Sequence, residues 1–146
     1  MATPTAHKDA QGQNDIDRNT RQYTDLDLFF GKKDTSSDIN MVTDIQAVKR
    51  SVRNLVLTNH YEKPFHPEIG SGVRDMLFEP MTPLTAHVLT RKIEDVIVNF
   101  EPRVRLIDVT AWPNLDRNEY ECTISFFVVN TPTELVDLTV FLERLR

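Results

Sequence analysis

The sequence predicts an α+β fold, with two main helices packed on one face of a small antiparallel sheet. Two observations support this. Apolar residues recur at helical intervals in two separate segments of the chain, and the last third changes to an alternation with period two. Helical patterns followed by a run of strand patterns are typical of a two-layer α+β domain. The chain has 146 residues, a single-domain length, and we expect one domain over residues 23–146.

Residues 1–22 are predicted to form a flexible tail outside that domain. Their polar residues leave Ile16 isolated, so the segment has too little apolar surface to offset the entropy lost on ordering. It also lacks the apolar core of a signal peptide. We therefore expect synthesis and assembly in the cytoplasm of the producing cell.

Order is expected to begin at "YTDLDLFF", where Leu26 and Leu28 alternate with aspartates as in a short, half-buried strand. This strand is a possible extra member of the sheet. The segment "GKKDTSSDIN" then breaks it. A helix is predicted from "TDIQAVKRSVRNLVLT", because Thr43 and Gln46 have the spacing of a capping box. Its apolar residues recur at helical intervals and are Ile45, Val48, Val52 and Leu55.

The segment "NHYEKPFHPEIGSGVRDMLFEPMTP" is predicted to be a rigid, irregular connection, because prolines and glycines punctuate it. It has too many apolar residues for a loop that only faces solvent, and "GVRDMLF" is long enough for a short helix. The side chains expected to pack against the rest of the protein are Phe65, Ile69, Met76, Leu77 and Phe78.

A second long helix should start at Thr82, which can cap it, with Pro83 at the favoured first position. Pro102 should end it. Its single apolar stripe comprises Leu89, Ile93, Val96, Ile97 and Phe100.

Three strands follow, joined by "PNLDRN" and "NTPTE", and they predict an antiparallel meander. The inward-facing positions are expected to be Ile107, Val109 and Ala111, then Tyr120, Cys122, Ile124, Phe126 and Val128, then Val136, Leu138, Val140 and Leu142. In such a meander the two outer strands each keep an edge of unpaired backbone groups. The N-terminal "TDLDLFF" strand could cover one of them, or a partner could add a strand there.

Composition and motifs argue against several functions. A net charge of −5 disfavours a nucleic-acid surface, no apolar run is long enough to span a membrane, and Cys122 is expected to be a buried, inert thiol. No nucleophilic triad or phosphate loop is recognisable, and we expect no cofactor. His60, His66 and Glu68 share one loop, but they lack the spacing of a zinc site, and we expect no metal.

Paired carboxylates leave a second class open, because a glycoside hydrolase needs only two of them. Several acidic residues lie near predicted element junctions: Glu68, Asp75, Glu79 and Glu101. The sequence does not show which of them is desolvated enough to hold a proton at neutral pH.

The run "EKPFHPEIGSGVRDMLFEPMTPLTA", followed one helix later by "NFEPRV", resembles the phage baseplate wedge family that was labelled acidic-lysozyme-like and has a counterpart in the type VI secretion baseplate. The resemblance covers roughly Thr24 to Arg146. It implies a non-enzymatic structural subunit of a contractile-tail baseplate in the virion, present in several copies and contacting other wedge proteins and the sheath protein. The label itself implies the rival class, a peptidoglycan-cleaving enzyme.

The resemblance also assigns roles to particular residues. Glu101, Pro102 and Arg103 are expected to form a docking turn, in which a stiff proline holds two opposite charges in fixed directions. Loss of the Arg103 side chain should then abolish docking with little change in stability. The alternative is that both charges brace the fold by pairing with Arg91 or Asp75. The edge of the last strand, around Leu138 and Val140, is expected to receive an arm of the sheath protein and so to initiate the sheath.

Overall fold

The computed structural model describes residues 23–32, 38–129 and 131–143. The predicted flexible tail lies outside the described residues. The chain divides between Asp44 and Ile45 into two compact units. The expectation of a single domain over residues 23–146 stays a prediction, and the two units are described in turn.

The N-terminal unit contains a small two-stranded antiparallel sheet. Strand β1 (Thr24–Leu26) pairs with β2 (Met41–Thr43), and Thr24 lies opposite Thr43. The strand predicted at "YTDLDLFF" is therefore present only over Thr24–Leu26, and it is exposed rather than half-buried. It pairs with β2, a strand that the sequence pattern did not reveal. It belongs to this separate two-stranded sheet and is not a member of the C-terminal sheet.

The first main helix, α1 (Asp44–Leu57), follows β2 without a loop. Thr43, predicted to cap this helix, is also the last residue of β2 and directly precedes the first helical residue, so the predicted start of the helix is confirmed. Asp44 has a positive φ of 51° and marks the turn from strand to helix. The buried face of the helix consists of Ala47, Val48, Val52 and Val56.

Two further helices belong to the C-terminal unit. The short α2 (Val73–Met76) lies within the predicted "GVRDMLF" segment, and α3 (Pro83–Phe100) is the second main helix. The predicted cap is confirmed, because the backbone N–H of Thr85 donates to the Thr82 side chain at 3.1 Å. The buried face of α3 includes Leu89, Ile93, Val96 and Ile97.

The C-terminal sheet has the strand order β3–β4–β5 and is antiparallel throughout. Its strands are β3 (Val104–Asn114), β4 (Glu119–Val128) and β5 (Thr131–Glu143). The alternate β4 residues Tyr120, Cys122, Ile124, Phe126 and Val128 are all buried. Helix α3 packs against β3, and the α+β architecture predicted from the sequence is confirmed.

Two details of the sheet differ from the prediction. Ile107 was expected to face inward, but it lies at a register shift between Leu106 and Asp108 and is exposed. Leu106, which pairs with the buried Phe126, takes the inward position before the bulge, and Val109 takes it after the bulge, since one extra residue reverses the alternation. The predicted connection "NTPTE" is also shorter, because β5 already begins at Thr131. A second register shift follows, where Val128 pairs with Thr131 and Phe127 with Leu135.

Candidate functional site

The candidate docking turn joins the end of α3 to the start of β3. Glu101 closes the helix, and its backbone N–H donates to the Ile97 carbonyl at 3.0 Å. The N–H of Val104 then donates to the Glu101 carbonyl at 3.1 Å, which tightens the turn around Pro102. A third bond runs from the N–H of Val129 to the Arg103 carbonyl at 2.8 Å. The turn is thus anchored to both the helix and the sheet.

The two charges of the turn pair with each other. Arg103 donates from Nε to Oε1 of Glu101 at 2.6 Å and from its terminal nitrogen to Oε2 at 2.8 Å. This is a bidentate pair, the strongest geometry for a guanidinium and a carboxylate. Ser51 on α1 adds a third bond, from Oγ to Oε2 of Glu101 at 2.5 Å. The carboxylate therefore links α1, the end of α3 and the start of β3.

Burial and hydrogen bonding act in opposite directions on Glu101. Its side chain is only 4% exposed, and burial alone would raise its pKa. The hydrogen bonds from Arg103 and Ser51, with the attraction of the guanidinium, outweigh burial, so the pKa lies below its ordinary value of 4.5. Glu101 is therefore an ionised, fully partnered carboxylate at neutral pH.

The residues of the turn differ in how much surface they offer to a partner. Glu101 is buried, Pro102 is exposed, and the Arg103 side chain is 30% exposed. The partners expected for a bracing role are not the ones observed, because Arg91 contacts Glu94 at 3.8 Å and Glu101 contacts Arg103. Any docking by this turn therefore uses Pro102 and the outer side of Arg103, with Glu101 holding the guanidinium from inside.

The second predicted site lies on β5. Leu138 pairs in register with Ile124 and Val140 with Cys122, so both side chains lie on the face of the sheet that carries the buried β4 residues. Val140 is itself buried. Strand β5 is the last in the sheet order and pairs only with β4 among the described strands. A partner strand at this edge would meet the backbone of β5 rather than these two side chains.

Two of the carboxylates considered for glycoside hydrolysis, Glu68 and Glu101, have the wrong protonation properties. The general acid of such an enzyme needs a raised pKa. The pKa of Glu68 is instead lowered, first by a backbone hydrogen bond and then by His66, whose Nδ1 lies 3.0 Å from Oε1 of Glu68. The pKa of Glu101 is lowered as well. Neither group is suited to protonating a leaving group at neutral pH.

Three further observations concern chemistry outside the turn. Cys122 is buried as predicted, and burial raises the pKa of its thiol to about 12, which suppresses the reactive thiolate. Across residues 23–32, 38–129 and 131–143, no cluster of three or more His, Cys, Asp or Glu residues is arranged to hold a metal ion. No helix in that part of the chain is long and apolar enough to cross a membrane.

Sequence reasoning missed two features of this region. It did not find Ser51 as a partner of Glu101, since the two are 50 residues apart and a serine within a helix gives no local signal. It also expected Phe65 to pack, whereas its side chain is 97% exposed. A bulky aromatic residue between two prolines in "KPFHP" is a usable signal for a stiff loop, but it does not show which way the ring points.

Solved structures with the same fold include parts of several baseplates. A crystal structure described as a putative tail lysozyme from Geobacter sulfurreducens matches with a TM-score of 0.63 and 23% identity, over 68% of this chain and 89% of the other. The anti-feeding prophage baseplate contains a chain that matches with a TM-score of 0.58 and 19% identity, over 85% and 87%. A chain of a type VI secretion baseplate complex matches with a TM-score of 0.55 and 19% identity, over 68% of this chain and 93% of the other.

These matches show that the small α+β fold of this chain also occurs in chains of several baseplates. Sequence comparison then gives the family. The baseplate wedge protein gp25 of Enterobacteria phage T4 is 34% identical over 113 residues, which are 77% of this chain and 85% of that protein. The family described as baseplate wedge protein gp25 matches residues 42–133. The chain belongs to this family, and the resemblance seen in the sequence is confirmed.

Proposed function

We propose that this protein is a structural subunit of a phage tail baseplate, which joins other wedge proteins through its Glu-Pro-Arg turn and works by binding rather than catalysis. The observation that carries the proposal is the bidentate pair between Arg103 and Glu101 beneath an exposed Pro102. The pair fixes the guanidinium before any partner arrives. Little side-chain freedom remains to be lost on binding, so the affinity gained per contact is larger.

The inward position of Glu101 refines this proposal. The Glu101 carboxylate accepts three hydrogen bonds and its side chain is only 4% exposed, so it positions the turn and does not touch the partner. The partner contacts Pro102 and the exposed part of the guanidinium. Docking and bracing are then two tasks of one structure: Glu101 braces, and the outer side of the turn docks.

The turn can be tested with a variant that leaves the ion pair intact. Pro102→Glu adds charge and backbone freedom at the exposed residue, and Leu115→Glu adds the same charge to the exposed β3–β4 turn as a matched control. We expect wedge assembly, followed by co-purification of the other wedge proteins, to fail only for Pro102→Glu, with both variants as stable as the wild type. Normal assembly of a folded Pro102→Glu variant would contradict docking by this turn.

A further part of the proposal is that the outer edge of β5, which pairs with no other described strand, initiates the contractile sheath. Edge strands present unpaired backbone groups, and an added strand gains affinity from main-chain hydrogen bonds and register from side-chain pockets. A cleft of about 330 Å³ lies beside the end of β5. Most of its lining is apolar and includes Val56, Leu77 and Phe141, while Arg74 and Glu143 add charged groups. It offers a pocket for a side chain of the incoming sheath strand.

Hydrogen–deuterium exchange tests the edge without disturbing the fold. Consecutive N–H groups of a strand point to opposite sides, so about every second amide between Leu135 and Glu143 should be unprotected in sheathless baseplates. We expect those amides to gain protection when sheath protein polymerises on the baseplate. Unchanged exchange along β5 in fully sheathed tails would show that the sheath starts elsewhere.

The rival function has a simple assay. The assay follows the turbidity of a purified peptidoglycan suspension. We expect the wild-type protein to clear it no more than the Glu68→Gln and Glu101→Gln variants do, because both carboxylates are ionised at neutral pH. Clearing that either substitution abolishes would overturn a purely structural function.

A further inference from the structure

The loop between α1 and α2, residues 58–72, carries the two most exposed large apolar side chains among the described residues. The ring of Phe65 is 97% exposed and that of Tyr61 is 86% exposed. Scattered exposed apolar residues are common on protein surfaces and need no explanation. Two exposed aromatic rings four residues apart on one short loop are less common. The backbone conformation at both residues indicates that the rings have a function.

Both aromatic residues have a left-handed backbone conformation. The φ angle is 65° at Tyr61 and 66° at Phe65. In this region Cβ approaches the carbonyl oxygen, and the cost is about 1–2 kcal/mol for each ordinary L-residue. Glycine or asparagine adopts the same conformation at lower cost. The loop therefore holds bulky aromatic residues at two positions where stability alone favours small ones.

The loop is held in this shape by bonds within itself. The N–H of Tyr61 donates to the Pro67 carbonyl at 3.0 Å, and the N–H of Asn59 donates to the Glu62 carboxylate at 2.8 Å. The His66 ring contacts the Glu68 carboxylate at 3.0 Å. Pro64 and Pro67 restrict the chain on either side of Phe65. Both rings are therefore presented from a preformed frame.

The base of the loop is packed closely against its own start. A Cβ on Gly70 would lie 2.5 Å from backbone atoms of Asn59 and His60, so only glycine permits this approach. Ser71 then fastens the loop to the end of α1, with its Oγ donating to the Val56 carbonyl at 2.6 Å. The frame is thus rigid at its base as well as at its tip.

We propose that Tyr61 and Phe65 are anchor residues that insert into an apolar pocket on another wedge protein of the baseplate. The proposal rests on the proposed function, since it takes the partner from the same assembly, but it concerns a surface distinct from the Glu-Pro-Arg turn and the β5 edge. Aromatic side chains that fill desolvated pockets are the usual hot spots of protein interfaces. A rigid frame lowers the entropy lost when they bind.

The charges of the loop favour a protein partner over the other ligands of exposed aromatic rings. Base stacking on single-stranded nucleic acid needs a surrounding cationic groove. Aromatic anchors at anionic membranes are likewise accompanied by basic residues. Here Glu62 and Glu68 flank the rings with Lys63 as a single cation, and the whole chain has a net charge of −5. An apolar protein pocket needs no such cationic surroundings.

The test is binding of purified variants to wedge complexes assembled from the other wedge proteins without this chain. Phe65→Gly and Phe65→Asn remove the ring and relieve the left-handed strain, so both should fold at least as stably as the wild type. Tyr61→Gly does the same at the other anchor. Leu115→Ala, which shortens another well-exposed side chain on the β3–β4 turn, is the matched control. Affinity is measured by biolayer interferometry and stability by thermal melting.

We expect the three anchor variants to bind at least about tenfold more weakly with an unchanged or higher Tm, while Leu115→Ala binds like the wild type. Wild-type affinity in Phe65→Gly and Phe65→Asn would overturn the anchor proposal and leave the proposed function standing. Loss of stability in both Phe65 variants would show that the ring supports the fold, and it would also overturn the proposal. Failure of the wild-type protein to bind would contradict the proposed function itself.

Discussion

The Glu-Pro-Arg turn and the loop between α1 and α2 are both irregular connections of the C-terminal unit, and they are built in opposite ways. In the turn, a carboxylate that was expected at the surface is buried and accepts three hydrogen bonds from Arg103 and Ser51. In the loop, Phe65 was expected to be buried and is almost fully exposed. One connection places its charge inside, and the other places its aromatic ring outside.

This difference shows that residue type alone does not identify a contact surface. Glu101 is charged, but its hydrogen bonds to Arg103 and Ser51 are made within the chain, so it stabilises the turn, and the proposed docking is assigned to its neighbours. Phe65 is apolar, but its backbone is strained and its ring is exposed, so the fold gains little from it. The distinction depends on which groups already have partners inside the protein. The following changes test it.

The largest effect on stability should come from adding a side chain at the closely packed base of the loop. Gly70→Ala places a Cβ 2.5 Å from the backbone of Asn59 and His60, and we expect about 3 kcal/mol lower free energy of unfolding because backbone atoms must move. Gly31→Ala is the control, since among the described residues its Cβ would meet only Asp27 Oδ2, at 3.8 Å. Urea denaturation measures both. Equal stability of the two variants would show that the loop is not closely packed.

The next effect concerns the ion pair. Arg103→Ala leaves the buried Glu101 carboxylate with one donor, and we expect about 2 kcal/mol lower free energy of unfolding by urea denaturation. This revises the expectation from the sequence, in which the substitution left stability unchanged. Arg117→Ala is the matched control, because Arg117 lies 3.8 Å from Glu119 with its side chain 74% exposed. Its loss should change stability by less than about 0.5 kcal/mol. A similarly small change for Arg103→Ala would contradict the bracing role.

The pH dependence of stability follows from the lowered pKa of Glu101. A carboxylate with a lower pKa in the folded state contributes stability above its ordinary value of 4.5, and the contribution is lost as the pH falls through the folded pKa. The stability advantage of the wild type over Glu101→Gln should therefore be full near neutral pH and shrink in acid. Urea denaturation at a series of pH values measures it. An advantage that persists undiminished in acid would exclude this ionisation as its source.

The smallest effect, and the one of opposite sign, concerns Phe65. We expect Phe65→Gly to increase the free energy of unfolding by about 0.5 kcal/mol, because relief of the left-handed conformation exceeds the added entropy of glycine in the unfolded chain. Val98→Gly is a control at another well-exposed residue, in the last turn of α3, where glycine should destabilise by about 0.5 kcal/mol. If Phe65→Gly lowers the free energy of unfolding as much as Val98→Gly does, the Phe65 ring stabilises the loop.

Much of the fold was predictable because its signals are local. Thr82 and Pro83 mark the start of α3, and the alternation from Tyr120 to Val128 gives the inner face of β4. The missed features depend on tertiary contacts or on bulges. Ser51 reaches Glu101 across 50 residues, and the register shift at Ile107 reverses an alternation that looks regular in the sequence. The turn was found from its motif, but the direction of its charges followed only from the packing of three elements.

The central claim is that the outer side of the Glu-Pro-Arg turn is a contact surface in the assembled baseplate. A cryo-electron microscopy reconstruction of baseplates containing this chain tests it most directly. We expect Pro102 and the exposed side of Arg103 to be covered by a different wedge protein, while Glu101 keeps its bonds to Arg103 and Ser51. A reconstruction in which this turn faces solvent, with the chain held in the wedge by other surfaces, would contradict the claim.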